Sequence, residues 1–379
     1  MFMIFIIVTL LLLLCDAYIV FGVIGDGPWW LKCLVLVPSV AYVAVVVALG
    51  LTKDTRQGML NILIWLTLCV FFPTLLFTVV SLIGKGIGLA FPSAVRFVDM
   101  VGAAVALVWL GISLYGVVYG WKKVTVDRVA ISSPLIPQSF KGYRIVQLSD
   151  FHIGTYATAP ECVRRIVDRV NSLNPDLIVF TGDLVNSSSS EIDGFEEVLS
   201  ELKAKDGVYS VLGNHDYCLY RQYSGEDTPE KELDRVVASE KKMGWKMLRN
   251  SSVQIVRGND SIALVGVDNA GGRGFPDRSD LSKALRGLPE SEYKILLSHD
   301  PSHWRREVLP KSRIDLMLAG HTHAMQFKIG GWSPSSWVYP EWGGMYEENG
   351  RLLYVSTGIG ENVAFRFGAW PQIVEITLQ

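Results

Sequence analysis

The sequence predicts an α/β domain placed behind a four-helix transmembrane region, and three observations predict it. The composition breaks sharply: Met1 to about Tyr119 is almost continuously apolar, whereas Trp121 onward carries charge at the density of a globular protein. Four stretches of the first part are long enough to cross a hydrocarbon core of about 30 Å, which takes roughly 20 helical residues. From Tyr143, short β-rich runs alternate with helical stretches, the pattern of layered α/β folds. At 379 residues the chain is too long for one ordinary domain, and 19% charged residues with a mean hydropathy of +0.29 are unusual for a water-soluble enzyme. The expected division is a membrane region at 1–123 and a second domain at 124–379.

The expected spans are Phe2 to Ile24, Trp29 to Leu49, Leu60 to Ile83 and Val98 to Tyr119. Charged and turn-forming residues separate them: Gly25-Asp26-Gly27-Pro28, Lys53-Asp54-Thr55-Arg56, Gly84-Lys85-Gly86 through Pro92, then Trp121-Lys122-Lys123. The first segment lacks a basic n-region, and its apolar run exceeds the roughly 7 to 15 residues of a cleaved signal, so it is read as a retained span. Asp16 within it is read as a packed polar residue facing other helices. With four spans, Lys53 and Arg56 share a side with the second domain, which Lys122, Lys123 and Arg128 introduce; Lys32, Lys85 and Arg96 lie opposite. That distribution predicts a cytoplasmic second domain. Cys15, Cys33 and Cys69 fall in apolar spans, and Cys162 and Cys218 show no disulfide or zinc spacing, which fits a reducing compartment. A net charge of −2 provides no basic footprint, so nucleic acid is excluded as a partner.

In the second domain, Tyr143 to Ser149, Asp176 to Phe180, Gly207 to Leu212, Tyr293 to Ser298 and Ile314 to Ala319 read as strands, and Pro160 to Leu173 as a helix. A polar cluster stands at the end of every one of these strands: Asp150-Phe151-His152, Gly182-Asp183, Gly213-Asn214-His215-Asp216, Ser298-His299 and Gly320-His321-Thr322-His323. In open α/β sheets, ligands bind beyond the carboxyl ends of the strands, so loops far apart in sequence converge there. Taken singly, a Gly-Asp is a turn and a buried histidine is a hydrogen-bonded core residue. Taken together, five of the six histidines beside carboxylates or an asparagine at strand ends make a metal site. Carboxylate, imidazole and amide-oxygen ligands suit divalent Mn, Fe or Zn, with no thiolate to select zinc.

The order and content of these motifs, over Lys141 to Gln379, resemble the calcineurin-like metallophosphoesterase superfamily, in its membrane-associated subgroup. The resemblance implies a layered β-sandwich flanked by helices and two divalent metal ions. It implies that Asp150, His152 and His323 hold one ion, that Asn214, His299 and His321 hold the other, and that Asp183 bridges them. Two ions about 3.5 to 4 Å apart can clamp an in-line displacement at phosphorus and lower the pKa of a bridging water. By the same resemblance His215 assists the leaving group. Asp216 would orient its ring, or else simply cap the loop. No Gly-Xaa-Ser-Xaa-Gly elbow and no P-loop lysine motif appears where one would be expected, which argues against serine hydrolases of that class and against kinases. Arg273, in Gly271-Gly272-Arg273-Gly274, is a candidate phosphate contact, with surface solvation as the plainer reading. His303 is read as structural.

Two features depart from the subgroup or stand outside its motifs. Close relatives usually read Gly-His-Thr-His-Gly-Gly-Gln, whereas here Ala324 and Met325 precede Gln326, leaving the ligands intact but adding side chains beside the site. The aromatic run from Trp332 to Trp337 and on to Trp342 is read as a cap on the core rather than a grip on lipid. Four spans exceed what a tether needs, which suggests a substrate that lives in the bilayer; the resemblance, to a subgroup that includes cleavers of UDP-diacylglucosamine, implies hydrolysis of a phosphodiester or pyrophosphate in such a lipid-linked molecule at a bacterial-type inner membrane. The alternatives are soluble phosphate esters, or a non-catalytic membrane sensor. A sensor predicts eroded ligands, and all seven are present.

Overall fold

A computed structural model of the chain describes residues 2–51, 57–223, 225, 227–272 and 274–379. The expected loop Lys53 to Arg56 and the candidate Arg273 lie outside the described residues. Two compact units emerge: the helices up to Gly120 together with Val363–Phe367, and Trp121–Asn362 together with Gly368–Gln379.

In the helical unit, α1 (Phe2–Ala17) continues as a π-helical stretch (Tyr18–Ile24) and is followed by α2 (Trp29–Leu51). Next, α3 (Gln57–Leu66) passes through a π-helical stretch (Thr67–Phe71) into α4 (Phe72–Gly88), and α5 (Ala94–Val118) completes the unit. Pro73 at the start of α4 accounts for the widened turn, since its ring cannot donate to the preceding turn. Four continuous stretches are long and apolar enough to cross a membrane: Met3–Ile24, Trp29–Leu51, Gly58–Gly88 and Ala94–Lys122. The unit is held by a buried cluster that includes Leu12, Tyr42 and Leu63.

The expected loop at Gly84-Lys85-Gly86 is helical instead, because Gly84 and the following Gly88 serve packing rather than turning. A Cβ on Gly84 would lie 2.8 Å from Val98 Cβ, one on Gly88 would collide with Val95, and one on Gly102 would press on Val80 at 3.3 Å. Small residues let α4 and α5 approach along their backbones, as membrane helices do when burial against water no longer drives association. Lys85 stays in the helix by donating to the Gly22 carbonyl at 2.9 Å and lying over the Tyr18 ring at 4.5 Å. A short tail of the chain also joins this unit: Trp65 Nε1 donates to the Ala364 carbonyl at 3.0 Å.

The second unit is built from β1 (Thr125–Ile131), β2 (Arg144–Leu148), α6 (Glu161–Ser172), β3 (Leu177–Phe180), α7 (Glu196–Ser200), β4 (Val208–Ser210), α8 (Pro229–Lys242), β5 (Lys246–Met247), β6 (Ser251–Arg257) and β7 (Asp260–Gly266). It ends with α9 (Leu281–Ala284), β8 (Lys294–Leu297), α10 (Leu309–Lys311), β9 (Leu316–Ala319), β10 (Gly344–Glu348), β11 (Arg351–Val355) and β12 (Gln372–Leu378). The strands form two six-stranded mixed sheets, ordered β1-β12-β2-β3-β4-β5 and β10-β11-β9-β8-β7-β6. In the first, β2 to β5 run parallel and β12 is antiparallel to β2. In the second, β7, β8, β9 and β11 run parallel, flanked by antiparallel β6 and β10.

The sheets face each other across one core. Ile145, Leu177 and Val179 of the first meet Leu264, Ile295, Leu297, Leu316 and Leu318 of the second. The alternate residues Leu296 and Met317 point the other way, onto Trp304 and Val308. Side chains of a strand alternate between faces, so both faces of β8 and β9 are covered, and Ile295–Leu297 of β8 and the whole of β9 are apolar. The fold is a two-sheet α/β sandwich with flanking helices, as expected, preceded in the chain by four candidate membrane helices.

The glycine packing of α4 and α5 is open to a paired test. Gly84→Leu should destabilise the detergent-solubilised chain by about 1 to 3 kcal/mol through overpacking. Gly86→Leu, at a position with no atom within 4 Å of a Cβ, should leave the melting temperature nearly unchanged. Equal melting of the two variants would remove the packing explanation.

Candidate metal centre

The parallel strands bring every expected ligand to one end of the sandwich. Asp150 and His152 follow β2, Asp183 follows β3, Asn214 follows β4, His299 follows β8, and His321 and His323 follow β9. The chain turns sharply at each exit. Asp150, His152, Asp183, His321 and His323 all have left-handed backbones, with φ of 53°, 45°, 60°, 73° and 49°. Such values are costly for residues other than glycine, and they cluster where a site dictates side-chain direction. Glycines clear the remaining space: a Cβ on Gly213 would collide with the Asp183 carboxylate, and one on Gly320 with Ser149 and Asp150.

Two ligand groups form around one carboxylate. In the first, His152 Nε2 and His323 Nε2 lie 3.1 Å apart, with His323 Nε2 3.4 Å from Asp150 Oδ1. In the second, His299 Nε2 lies 3.1 Å from Asp183 Oδ2 and 3.3 Å from His321 Nδ1. Asp183 Oδ2 is also 3.6 Å from His152 Nε2, so this carboxylate stands between both groups. Asp150, His152 and His323, and likewise Asp183, His299 and His321, are close enough to share an ion.

The donor set fits divalent cations on its own chemistry. Asn214 Oδ1 is buried and accepts no hydrogen bond, while its Nδ2 donates to Tyr220 Oη at 2.9 Å, so the amide oxygen is the atom left to meet a cation. The far nitrogens of two histidines are tied back: His299 Nδ1 to the Thr181 carbonyl at 2.8 Å, and His321 Nε2 to Tyr339 Oη at 2.8 Å. Such tethers fix which nitrogen faces a metal.

Electrostatics point the same way. Burial pushes the Asp183 carboxyl up, but His299, His215 and His152 outweigh it and hold it well below the usual carboxylate range. Burial pushes His299 down and is likewise outweighed, chiefly by Asp183, so that its imidazole rises to about 10. His152 is lowered by burial, reinforced by His215, and His321 is lowered by burial. In the metal-free protein, then, His299 alone of these three carries a proton at neutral pH.

His215 sits at the open side, half-buried, with its backbone N–H donating to Asp183 Oδ1 at 2.8 Å. Its ring is not oriented by Asp216; of the two roles the sequence left open for that residue, the loop cap is the one its hydrogen bonds match. Asp216 is fully buried, and its carboxylate accepts from the backbone N–H groups of Asp183, Leu184, Val185 and Gly213 at 2.8 to 3.3 Å. It ties the β3 and β4 loops together and has no contact with the imidazole. Burial, then Asp183, raises its carboxyl to about 6. Ring orientation falls to Asn186, whose carbonyl accepts from His215 Nδ1 at 2.5 Å.

His303 lies apart from the ligand groups, fully buried, with Nδ1 2.9 Å from Ser298 Oγ and Nε2 3.6 Å from Glu307. The aromatic run does not cap the core: Trp332 and Trp337 are 42% and 77% exposed and pack edge-on against each other. Five residues beside the site escaped the sequence reading: Asn186, Tyr220 and Tyr339, together with Phe275, edge-on to the His321 ring, and Asn362, 3.3 Å from His215 Nε2. Asn362 follows β11, another strand end with a glycine-rich exit, so the rule that found the histidines would have found it. The aromatic residues carry no such mark.

Two predictions follow from this geometry. Metal ligation requires a neutral imidazole, so Mn²⁺ binding at pH 7 should release about one proton per chain, from His299, and apparent affinity should rise with pH toward 10. Calorimetry in buffers of different protonation enthalpy measures the release, and none would contradict the His299–Asp183 pairing. Ala324 and Met325 hold left-handed backbones of φ 50° and 45°. Met325→Gly should therefore stabilise the protein by up to about 1 kcal/mol in thermal unfolding.

A family model described as calcineurin-like phosphoesterase matches residues 143–325, which hold all seven expected ligands. The chain is 32% identical over 277 residues to a transmembrane protein with metallophosphoesterase domain from Danio rerio, covering 71% of this chain and 60% of that protein. It is 28% identical over 260 residues to an uncharacterized metallophosphoesterase from Aquifex aeolicus, covering 67% of this chain and 91% of that one. It is 27% identical over 285 residues to the UDP-2,3-diacylglucosamine pyrophosphatase LpxG of Chlamydia muridarum, covering 63% of this chain and 85% of the relative. The match thus spans three fifths of the Danio rerio protein's length. With the matching region laid over the whole ligand set and a transmembrane protein with metallophosphoesterase domain among the relatives, residues 143–325 of this chain carry a calcineurin-like phosphoesterase domain.

Proposed function

We propose that the protein is a membrane-bound, two-metal phosphoesterase that hydrolyses a phosphodiester or pyrophosphate bond in a lipid-linked substrate. The observation that carries this reading is the pair of ligand groups sharing Asp183, with His215 beside them at the open side. Asp150, His152 and His323 would hold one ion, Asn214, His299 and His321 the other, and Asp183 both. When bound, two such ions supply charge neutralisation at the phosphoryl oxygens and activate water.

The chain's own groups do the rest. His215 donates Nδ1–H to the Asn186 carbonyl, so Nε2 is the atom left to pass a proton to the departing oxygen as the P–O bond breaks. Asp216 holds the loops that carry Asp183 and Asn214 in register, a positioning role. The lipid-linked substrate is supported by the four apolar spans, by the name of the Chlamydia relative, and by Leu219, Tyr220 and Met325, all exposed within a few residues of His215 and His323. The lysine and arginine distribution supports a catalytic domain at 124–379 on the cytoplasmic face of a bacterial-type inner membrane, anchored by 1–123.

The full chain, loaded with Mn²⁺ in detergent, would be assayed on a lipid-linked UDP-sugar pyrophosphate and on a soluble aryl phosphodiester. His215→Ala should lower kcat by about 10² to 10⁴-fold, and Asp183→Ala should abolish turnover by removing the shared ligand. Full activity of Asp183→Ala would sink the two-metal mechanism. Preference for the soluble diester would sink the lipid assignment.

A further inference from the structure

We propose that Asn362 is a second hydrogen-bond donor to the substrate's phosphoryl group, acting beside His215 on the same oxygen; this rests on the phosphoesterase reading above. Asn362 Nδ2 lies 3.3 Å from His215 Nε2. The amide orientation is set from behind, because Asn186 Nδ2 donates to Asn362 Oδ1 at 3.1 Å and so turns the Asn362 N–H groups toward the imidazole. Asn186 is itself fixed: its backbone N–H donates to Glu191 and its Nδ2 also donates to Thr155 Oγ1 at 3.1 Å, while Thr155 Oγ1 donates to the Glu361 carbonyl.

The loop bearing Asn362 is pressed onto the first ligand loop. Ile359 N–H donates to the Ser149 carbonyl at 2.9 Å and Gly360 N–H to the Asp150 carbonyl at 2.7 Å. Gly360 approaches Phe151 so closely that a Cβ would overlap its carbonyl. Asn362 is thereby placed against the metal-ligand loops, and like His215 it remains half-buried at the accessible side, whereas Asp150, His152, Asp183, Asn214 and His299 are closed off.

Asn362 Nδ2 and His215 Nε2, the atom that faces the departing oxygen, stand 3.3 Å apart, and one oxygen at an ordinary hydrogen-bond distance of about 2.9 Å reaches both. A phosphoryl oxygen is such an acceptor, and a charged one strengthens both bonds. The pair makes a two-donor clamp, of the kind that stabilises charge developing on oxygen.

The test uses the full chain loaded with Mn²⁺ and three variants, Asn362→Leu, Asn362→Ser and the double variant His215→Ala/Asn362→Leu. Calorimetry would measure affinity for Mn²⁺ and then for inorganic phosphate, and turnover would be read on an aryl phosphodiester. Asn362→Leu should bind Mn²⁺ as the parent does, bind phosphate at least about tenfold more weakly, and lose about 10²-fold in kcat/KM. Asn362→Ser, with a short hydroxyl donor, should recover part of both losses. The double variant should be slower than His215→Ala alone, by less than Asn362→Leu costs the parent, because Asn362 meets the oxygen directly while the two donors share it; a double variant as fast as His215→Ala would mark a residue that acts only through His215. Unchanged phosphate affinity in Asn362→Leu would overturn the proposal, as would parallel loss of Mn²⁺ and phosphate binding in both single variants, which marks a purely structural role. A parent chain with no turnover, but with phosphate binding weakened in Asn362→Leu, would overturn the phosphoesterase reading and leave the donor in place.

Discussion

Taking a carboxylate out of water costs several kcal/mol unless positive charge and hydrogen bonds replace the lost hydration. Asp183 is 1% exposed, and its replacements come from across the chain: His299 Nε2 at 3.1 Å, His152 Nε2 at 3.6 Å, and the His215 backbone N–H at 2.8 Å. These partners hang from the ends of β8, β2 and β4. Only parallel strands ending at one level deliver such loops to one point without long excursions, so the requirement at Asp183 and the order of strands in the two sheets are the same constraint seen at two scales.

The sharp strand exits have an energetic side. Left-handed backbones at Asp150, His152, Asp183, His321 and His323 cost on the order of 1 to 2 kcal/mol apiece. They persist because the strands behind them are buried on both faces and cannot relax. The apolar runs of β8 and β9 are therefore more than a core: they are the rigid support that lets strained turns hold lone pairs within 3 to 4 Å of one another. Bound cations reduce the cost further by giving those lone pairs a common partner.

Much of this was legible in the sequence, and the reasons are physical. Apolar runs of span length, unbroken apolar strands and ligand types at strand ends each follow from one-dimensional rules. The edge strands β1, β5, β6 and β10 did not stand out. They pair on one side only or are as short as Lys246–Met247, so their residues alternate or carry charge as loops do. Gly84 and Gly88 read as a turn because composition does not say whether a glycine bends a chain or admits a neighbouring helix; only Val95 and Val98 across the interface decide it. Trp332 and Trp337 read as a cap on the core because aromatic residues are mostly buried, yet the buried members of that segment are Ser333 and Ser335.

Asp216 illustrates how a motif can name the right residue for the wrong reason. Its place beside His215 suggests a carboxylate–imidazole pair, but adjacent residues in a tight turn seldom face each other, and here the carboxylate turns inward to four backbone N–H groups of two ligand loops. Burial and the nearby Asp183 raise it to about 6, above its unfolded value, so in metal-free protein folding takes up a proton between about pH 4 and 6 and stability falls as pH rises through that window. Cations held by Asp183 would cancel the repulsion that contributes to this shift. The loop-tying carboxylate is then most comfortable in the loaded site, which couples the integrity of the β3 and β4 loops to metal occupancy without any contact between Asp216 and a metal.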